Sequence, residues 1–189
     1  MVSDSQIDLS LVRPTLDDRR AAFDWMTAPG ILESMMGPPL FPEVAVPDFE
    51  GFCQEWEPHL WTHEDPRLGR LFLIAIDGVP NGAIAHNDVI VTAAGDVATE
   101  LDMWLGSAEF RGRGLGPVAI DRLCAMLPAL GVELVFLQPS ARNTSSIRAY
   151  EKAGFQPVPM APEQAASSFR TCCDYADSVF MVRRLCTSE

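Results

Sequence analysis

Asn143-Thr144-Ser145-Ser146-Ile147-Arg148-Ala149-Tyr150-Glu151-Lys152-Ala153-Gly154-Phe155 is the stretch on which the reading of this chain turns. Asn143 carries a side chain suited to capping the N–H groups of a first helical turn, and Gly154 suits the left-handed stop after the last. The spacing predicts a short helix between them, entered from a strand over residues 132–138. Asn143, Ser146 and Tyr150 recur at intervals of three and four, so they stack on one helical face. A capped amphipathic helix whose Tyr150 fills the core would read the same way. What lies upstream has to separate the two.

Upstream stands Phe110-Arg111-Gly112-Arg113-Gly114-Leu115-Gly116-Pro117. Glycines let the backbone approach a ligand closely, and the free N–H groups at a helix start suit a pyrophosphate. Pro117 in the first helical turn gives up only an N–H without an intrahelical partner. Arg111 and Arg113 add positive charge. A tight turn accounts for such a loop equally well. The Lys-Ser/Thr of a nucleoside-triphosphate loop is missing, and the preceding strands form a meander, which excludes a dinucleotide fold. The helix is expected to run to about residue 130, with Val118, Ile120, Leu123, Met126 and Leu127 on one face.

Further outward, Leu71-Phe72-Leu73-Ile74-Ala75-Ile76 reads as a buried strand closed by Asp77-Gly78 and Asn81-Gly82. Strands over residues 83–91 and 97–105 follow, giving an antiparallel meander. The chain opens with a short strand and then Thr15-Leu16-Asp17-Asp18, a capping box with Asp in place of Glu, starting a helix to about residue 26. Residues 28–47 are a Pro/Gly-rich loop, and a second helix is expected over 48–57. The last strands fall at 155–158 and 178–183, while 160–177 has no clear pattern. The order β-α-α-β-β-β-α-β-α-β-β predicts an α/β (α+β) fold: one domain over residues 1–189, with a mixed central sheet of six to seven strands and helices on both faces.

Together the two segments resemble the GCN5-related N-acetyltransferase (GNAT) family, specifically over residues 97–159. Arg111-x-x-Gly114-x-Gly116 is similar to its acyl-CoA pyrophosphate loop, and Asn143 through Phe155 to its second signature. The resemblance implies acetyl-CoA as donor, direct attack of an amine on the thioester within a ternary complex, and no metal. It implies donor contacts at the strand residues Met103, Trp104 and Leu105. It adds Arg111, Gly112, Arg113, Gly114, Leu115, Gly116 and Val118 from the loop and helix start, and Asn143, Ser146, Tyr150 and Lys152 from the second signature. Tyr150 stands where the family places the hydroxyl that protonates the leaving thiolate, and Asn143 where a side chain meets the pantetheine arm. Within the family the chain looks most like the aminoglycoside 6′-N-acetyltransferases. These carry an acidic residue twelve positions before the loop's second-last glycine, here Asp102 before Gly114. They also carry Asp-Pro-Ser after the next strand, where this chain has Gln138-Pro139-Ser140.

Amine acetylation needs a neutral nitrogen, so a carboxylate is expected where the ammonium binds and loses its proton. On a strand, Glu100, Asp102 and Trp104 share one face. Asp102 is the first candidate and Glu100 the second, with a plain acidic surface as the alternative for both. Gln138 belongs to the same acceptor region by resemblance. Trp56 and Trp61, in an acidic stretch over residues 55–65, offer indole faces to a polycationic sugar, although a solvated loop has the same composition. His59 and His63 have the spacing of a helical metal pair, but Pro58 and the lack of a third ligand argue against one.

Charge divides the chain. Before residue 110 there are five Lys/Arg against 19 Asp/Glu, and from there on nine against seven. An acidic front half suits a cationic acceptor and a basic back half an anionic donor; an acidic surface that favours solubility would look alike. The overall charge of −12 excludes sequence-independent nucleic-acid binding and docking on anionic lipid. No spanning segment or leader is visible, so a cytoplasmic monomer or homodimer is expected. Five cysteines, Cys172-Cys173 adjacent among them, make neither a disulfide framework nor a zinc ribbon. The acceptors to separate are an aminoglycoside-type antibiotic, whose acetylation would confer resistance, a protein N-terminus, and a biosynthetic amine such as a siderophore precursor.

Overall fold

The run Leu71-Phe72-Leu73-Ile74-Ala75-Ile76 has no polar side chain, and it lies where a sheet is covered on both faces. It forms β2 (Arg70–Ile76), buried from Leu71 onward. Described in the computed structural model are residues 7–31, 47–62, 64–171, 175 and 177–185. Asp77 and Gly78, at φ 51° and 79°, make the two-residue turn into β3 (Val79–His86), with Ile76 facing Val79. That turn is complete in itself, so Asn81-Gly82 lies inside β3 rather than closing a strand. β1 (Leu9–Val12) pairs with the outer edge of β2.

The expected strand over 83–91 is divided. Its second piece, β4 (Ile90–Val91), pairs with the same strand as β3, the nine-residue β5 (Val97–Leu105). Between the pieces Val89 N–H turns away to the carbonyl of Arg67. Beyond β5 come β6 (Leu134–Leu137), parallel to it, then β8 (Met181–Arg184) and β7 (Gln156–Pro157), both antiparallel to their neighbours. The sheet therefore has eight strands in the order β1-β2-β3-β5-β6-β8-β7, with β4 beside β5. The split accounts for the strand beyond the expected six to seven.

Helices cover both faces. α1 (Arg19–Met26), α2 (Phe49–Glu55) and α3 (Pro58–Thr62) pack on one, and α4 (Leu115–Cys124) and α5 (Thr144–Lys152) on the other. α6 (Pro162–Phe169), in the segment whose sequence had no clear pattern, joins the first face over Phe136 and Phe180. The capping box before α1 forms as read, Asp18 Oδ2 accepting from Thr15 N–H at 2.7 Å and from its hydroxyl at 2.9 Å. α4 is shorter than expected, giving way to a 3₁₀ turn over Leu127–Leu130. Ile120, Leu123 and Leu127 are buried with Gly116 and Ala119, whereas Val118 and Met126 point outward. Among the described residues no helix is long and apolar enough to cross a membrane.

Two expectations fail in the 55–65 stretch. Trp61 is 1% and Trp56 7% exposed, so neither indole is open to a sugar. Both pack with Phe52 and Trp104 under the sheet, the Trp56 and Trp104 rings 4.9 Å apart. The Trp61 N–H donates to the Trp56 carbonyl, which removes the one polar obstacle to burying it. Short helical turns starting at Pro58 and Pro66 fold what composition read as a solvated loop. Trp61→Ala should therefore cost about 3–5 kcal/mol of stability, as a shift of the urea midpoint with the donor site intact. His59 lies 2.9 Å from the Leu68 carbonyl and 3.3 Å from Glu57, and His63 is outside the described residues. Among the described residues no group of three or more His, Cys, Asp or Glu is arranged for a metal. Cys53 and Cys124 are free thiols; the other three cysteines lie outside the described residues.

Candidate active site

β5 and β6 part company in mid-sheet. Their parallel ladder runs Ala98 to Leu134, Thr99 to Val135 and Glu100 to Phe136. β5 continues five residues further, still paired with β3 from Leu101 through Leu105. β6 instead leads away, the Pro139 carbonyl accepting from Val179 N–H and Ser140 bridging to Ser178. Arg142, Ser140 and Asp177 clamp this departure, with Arg142 Nε 2.9 Å from Asp177. The result is a wedge with the edge of β5 along one wall. A sheet edge inside a cleft offers main-chain donors and acceptors to an extended ligand.

The wedge opens into a cleft of about 320 Å³. Met103, Leu105 and the main chain around Trp104 form the strand wall, because the Trp104 indole is buried on the opposite face, donating to the Ala22 carbonyl. The glycine loop and the first turn of α4 form the floor, and α5 supplies Ser145, Ser146, Ala149 and Tyr150. Gly114, at φ 78°, is the N-cap of α4 in the left-handed region, which a side chain disfavours. Gly116 serves differently: a Cβ there would stand 3.3 Å from the Met103 methyl, so its absence lets the helix start close against the strand. The charged lining residues are Arg111, Arg148 and Lys152, with no carboxylate among them. Cationic side chains around helix-start N–H groups make this an anion site.

Most of the predicted donor residues meet here: Met103, Trp104, Leu105, Arg111, Gly112, Gly114, Leu115, Gly116, Ser146, Tyr150 and Lys152. Three do not. Val118 faces outward from α4. Arg113 lies over the Phe110 ring, 5.9 Å from its centre. Asn143 is buried and its carboxamide oxygen caps α5, accepting from Ser146 N–H at 3.2 Å and from the Ser145 hydroxyl at 3.1 Å. It is not among the lining residues. Sequence reading missed Ile31, Phe110, Ser145, Arg148 and Ala149. Arg148 was findable, four residues before Lys152 on one helical face. Ile31 had no such signal, since it reaches the cleft only through the fold; its neighbour Gly30 accepts a hydrogen bond from Arg111.

Tyr150 sits in the last turn of α5. Its ring packs edge-on to Phe155, and burial pushes the phenol above its ordinary ionisation range. The negative charge of Asp102 adds to that shift and a hydrogen bond with Ser146 opposes it. The phenol therefore keeps its proton at neutral pH.

Glu100 and Asp102 are both half-buried on the α1–α3 face. Asp102 Oδ2 accepts from Asn87 Nδ2 at 3.1 Å. Glu100 accepts from Gln138 Nε2 at 3.0 Å on one oxygen and from the Thr171 hydroxyl at 2.7 Å on the other. Gln138, where the resemblance expected a carboxylate, thus acts as a neutral donor to one. Two negative side chains, each met by an amide, thus lie on the sheet face opposite Met103 and Leu105, and neither lines the cleft.

A family model described as an acetyltransferase (GNAT) domain matches residues 8–156. Among solved structures, AAC(6′)-Ib in complex with paromomycin and acetyl-CoA superposes with a TM-score of 0.67 at 20% identity, over 95% of this chain and 94% of that one. The aminoglycoside acetyltransferase AAC(6′)-Ib with coenzyme A and kanamycin gives 0.65 at 20%, over 95% of each. A spermidine N-acetyltransferase from Vibrio cholerae, in complex with CoA and spermine, gives 0.65 at 16%, over 96% of each. No curated protein sequence matches the chain. These identities speak for the fold; the family match covers most of the chain, and with it the protein belongs to the GNAT acetyltransferases.

Proposed function

We propose that this acetyltransferase moves the acetyl group of acetyl-CoA to a primary amine of a cationic small molecule, of aminoglycoside type, in the cytoplasm. The observation that carries the reading is the placement of Glu100 and Asp102 where β5 leaves β6, with Tyr150 close enough to feel the Asp102 charge. The pantetheine arm pairs with the edge of β5 and the pyrophosphate lies on the N–H groups after Gly114 near Arg111. The acceptor ammonium binds Asp102, which accepts its proton directly or through water. The neutral nitrogen then attacks the thioester carbonyl. As the C–S bond breaks, the thiolate takes the phenol proton of Tyr150, and the second proton, lost from the nitrogen as the amide forms, restores the phenol through solvent.

The donor half is tested at the loop. Gly114→Val forces the left-handed residue into another conformation at a cost of about 1–3 kcal/mol, so acetyl-CoA affinity should fall by about 5- to 150-fold. Wild-type affinity by calorimetry would remove the loop from the site. The acceptor half is tested by thiol release from acetyl-CoA with kanamycin, kasugamycin, spermidine and an α-amino peptide as acceptors. Turnover of the aminoglycosides supports the reading, with a raised inhibitory concentration in cells expressing the protein as its physiological counterpart. Turnover of spermidine or the peptide alone would replace the acceptor class and leave the donor chemistry standing.

A further inference from the structure

Asn87 sits at the break between β3 and β4, and four hydrogen bonds fix it there, one of them from the buried His86 Nδ1 to its carbonyl at 3.1 Å. Its N–H donates to the Glu100 carbonyl at 2.9 Å, continuing the β3 ladder one step. Its carbonyl accepts from the hydroxyl of Thr99, a fully buried residue, at 2.6 Å. Its carboxamide nitrogen is the 3.1 Å donor to Asp102. The main chain is thus pinned to β5 on either side of Glu100, while the side chain reaches forward to the next carboxylate on that face. The orientation of the amide follows from chemistry, since an ionised carboxylate only accepts.

We propose that Asn87 is a positioning residue that holds Asp102 ionised and in one rotamer for the acceptor amine, an inference that rests on Asp102 being the acceptor carboxylate. Two features of its surroundings work the other way. Glu100 lies two residues back on the same face, a like charge that favours protonation, and half-burial does the same. The Tyr150 phenol comes from α5 and is neutral. His86 is in register with Leu101, on the opposite face of the sheet. The Asn87 amide opposes both effects, and a neutral donor serves best. Lysine or arginine here would compete with the acceptor ammonium for Asp102, and an aspartate would repel it.

The test is a carboxyl-carbon NMR titration of the full chain, with the Asp102 resonance identified by its loss in Asp102→Asn. Asn87→Ala should raise the Asp102 pKa by about one to two units, the worth of a hydrogen bond to a charged group. Asn87→Asp, nearly isosteric, should raise it further and keeps the test open if the alanine variant does not fold. The acid limb of kcat/KM for whichever of kanamycin and spermidine is acetylated should move with it, while acetyl-CoA affinity by calorimetry stays within about twofold. An Asp102 titration unmoved in both variants overturns the proposal by itself. Full activity of Asp102→Asn with an Asn87-dependent titration overturns instead the reading of Asp102 on which it rests.

Discussion

Asp102→Asn is expected to lower kcat/KM for the acceptor by about 10²–10⁴-fold, the usual worth of a general base, with acetyl-CoA affinity nearly unchanged. The amide keeps the shape of the side chain and can still hydrogen-bond to Asn87 through its oxygen. It loses the negative charge that pairs with an ammonium and the lone pair that takes its proton. The residual rate should therefore climb with pH as the free amine fraction of the acceptor grows, in place of a plateau set by the enzyme. Glu100→Gln should do less, because that carboxylate is engaged by Gln138 and Thr171. Single-turnover rates across pH make the comparison. An inactive Glu100 variant beside an unaffected Asp102 variant would exchange their roles.

Tyr150→Phe is expected to reduce kcat by about 10²–10⁴-fold with much smaller changes in donor and acceptor affinity. The phenol proton matters only as negative charge develops on sulfur, so its loss falls on the transition state and spares the ground state. Because burial and Asp102 both raise its ionisation range, wild-type activity should show no alkaline limb from this group below about pH 10, the ordinary tyrosine value. Stability carries the same signature. The unfolded phenol ionises near pH 10 and the folded one later, so its contribution is fully present below pH ~10 and is lost as pH rises toward the folded value. The chain has two tyrosines. Difference absorbance should therefore lose a late-titrating phenol in Tyr150→Phe. Undiminished turnover in that variant would make Tyr150 a packing residue against Phe155 and leave the thiolate to be protonated by water.

Both predictions concern residues that local pattern placed well. β5 reads from its alternation, which puts Glu100, Asp102 and Trp104 on one face, and α5 reads from its cap and its stop. Such features are set within a few residues, by side-chain period and by backbone preference at glycine, and they survive folding unchanged. The aromatic residues of the 55–65 stretch read wrongly for the converse reason. Trp56 and Trp61 sit among carboxylates in the sequence, and only the packing of Phe52 and Trp104 against them makes burial favourable.

By itself the sequence determined the meander, the glycine loop opening α4, the capped helix carrying Tyr150, and the family that these resemble. Each depends on neighbours along the chain. Tertiary structure alone decided where β5 and β6 separate, since that depends on β6 pairing onward with the strand line of β8, and on the Arg142–Asp177 clamp 35 residues apart. It alone brought Ile31 to a cleft built mostly from residues 103–152. It also decided that Asn143, the cap legible in the sequence, is buried and off the cleft lining, and that Asn87, in what read as mid-strand, turns its amide to Asp102. A side chain's type limits the bonds it can make, but which partner it meets is set by contacts between segments distant in the chain, and these have no period to read.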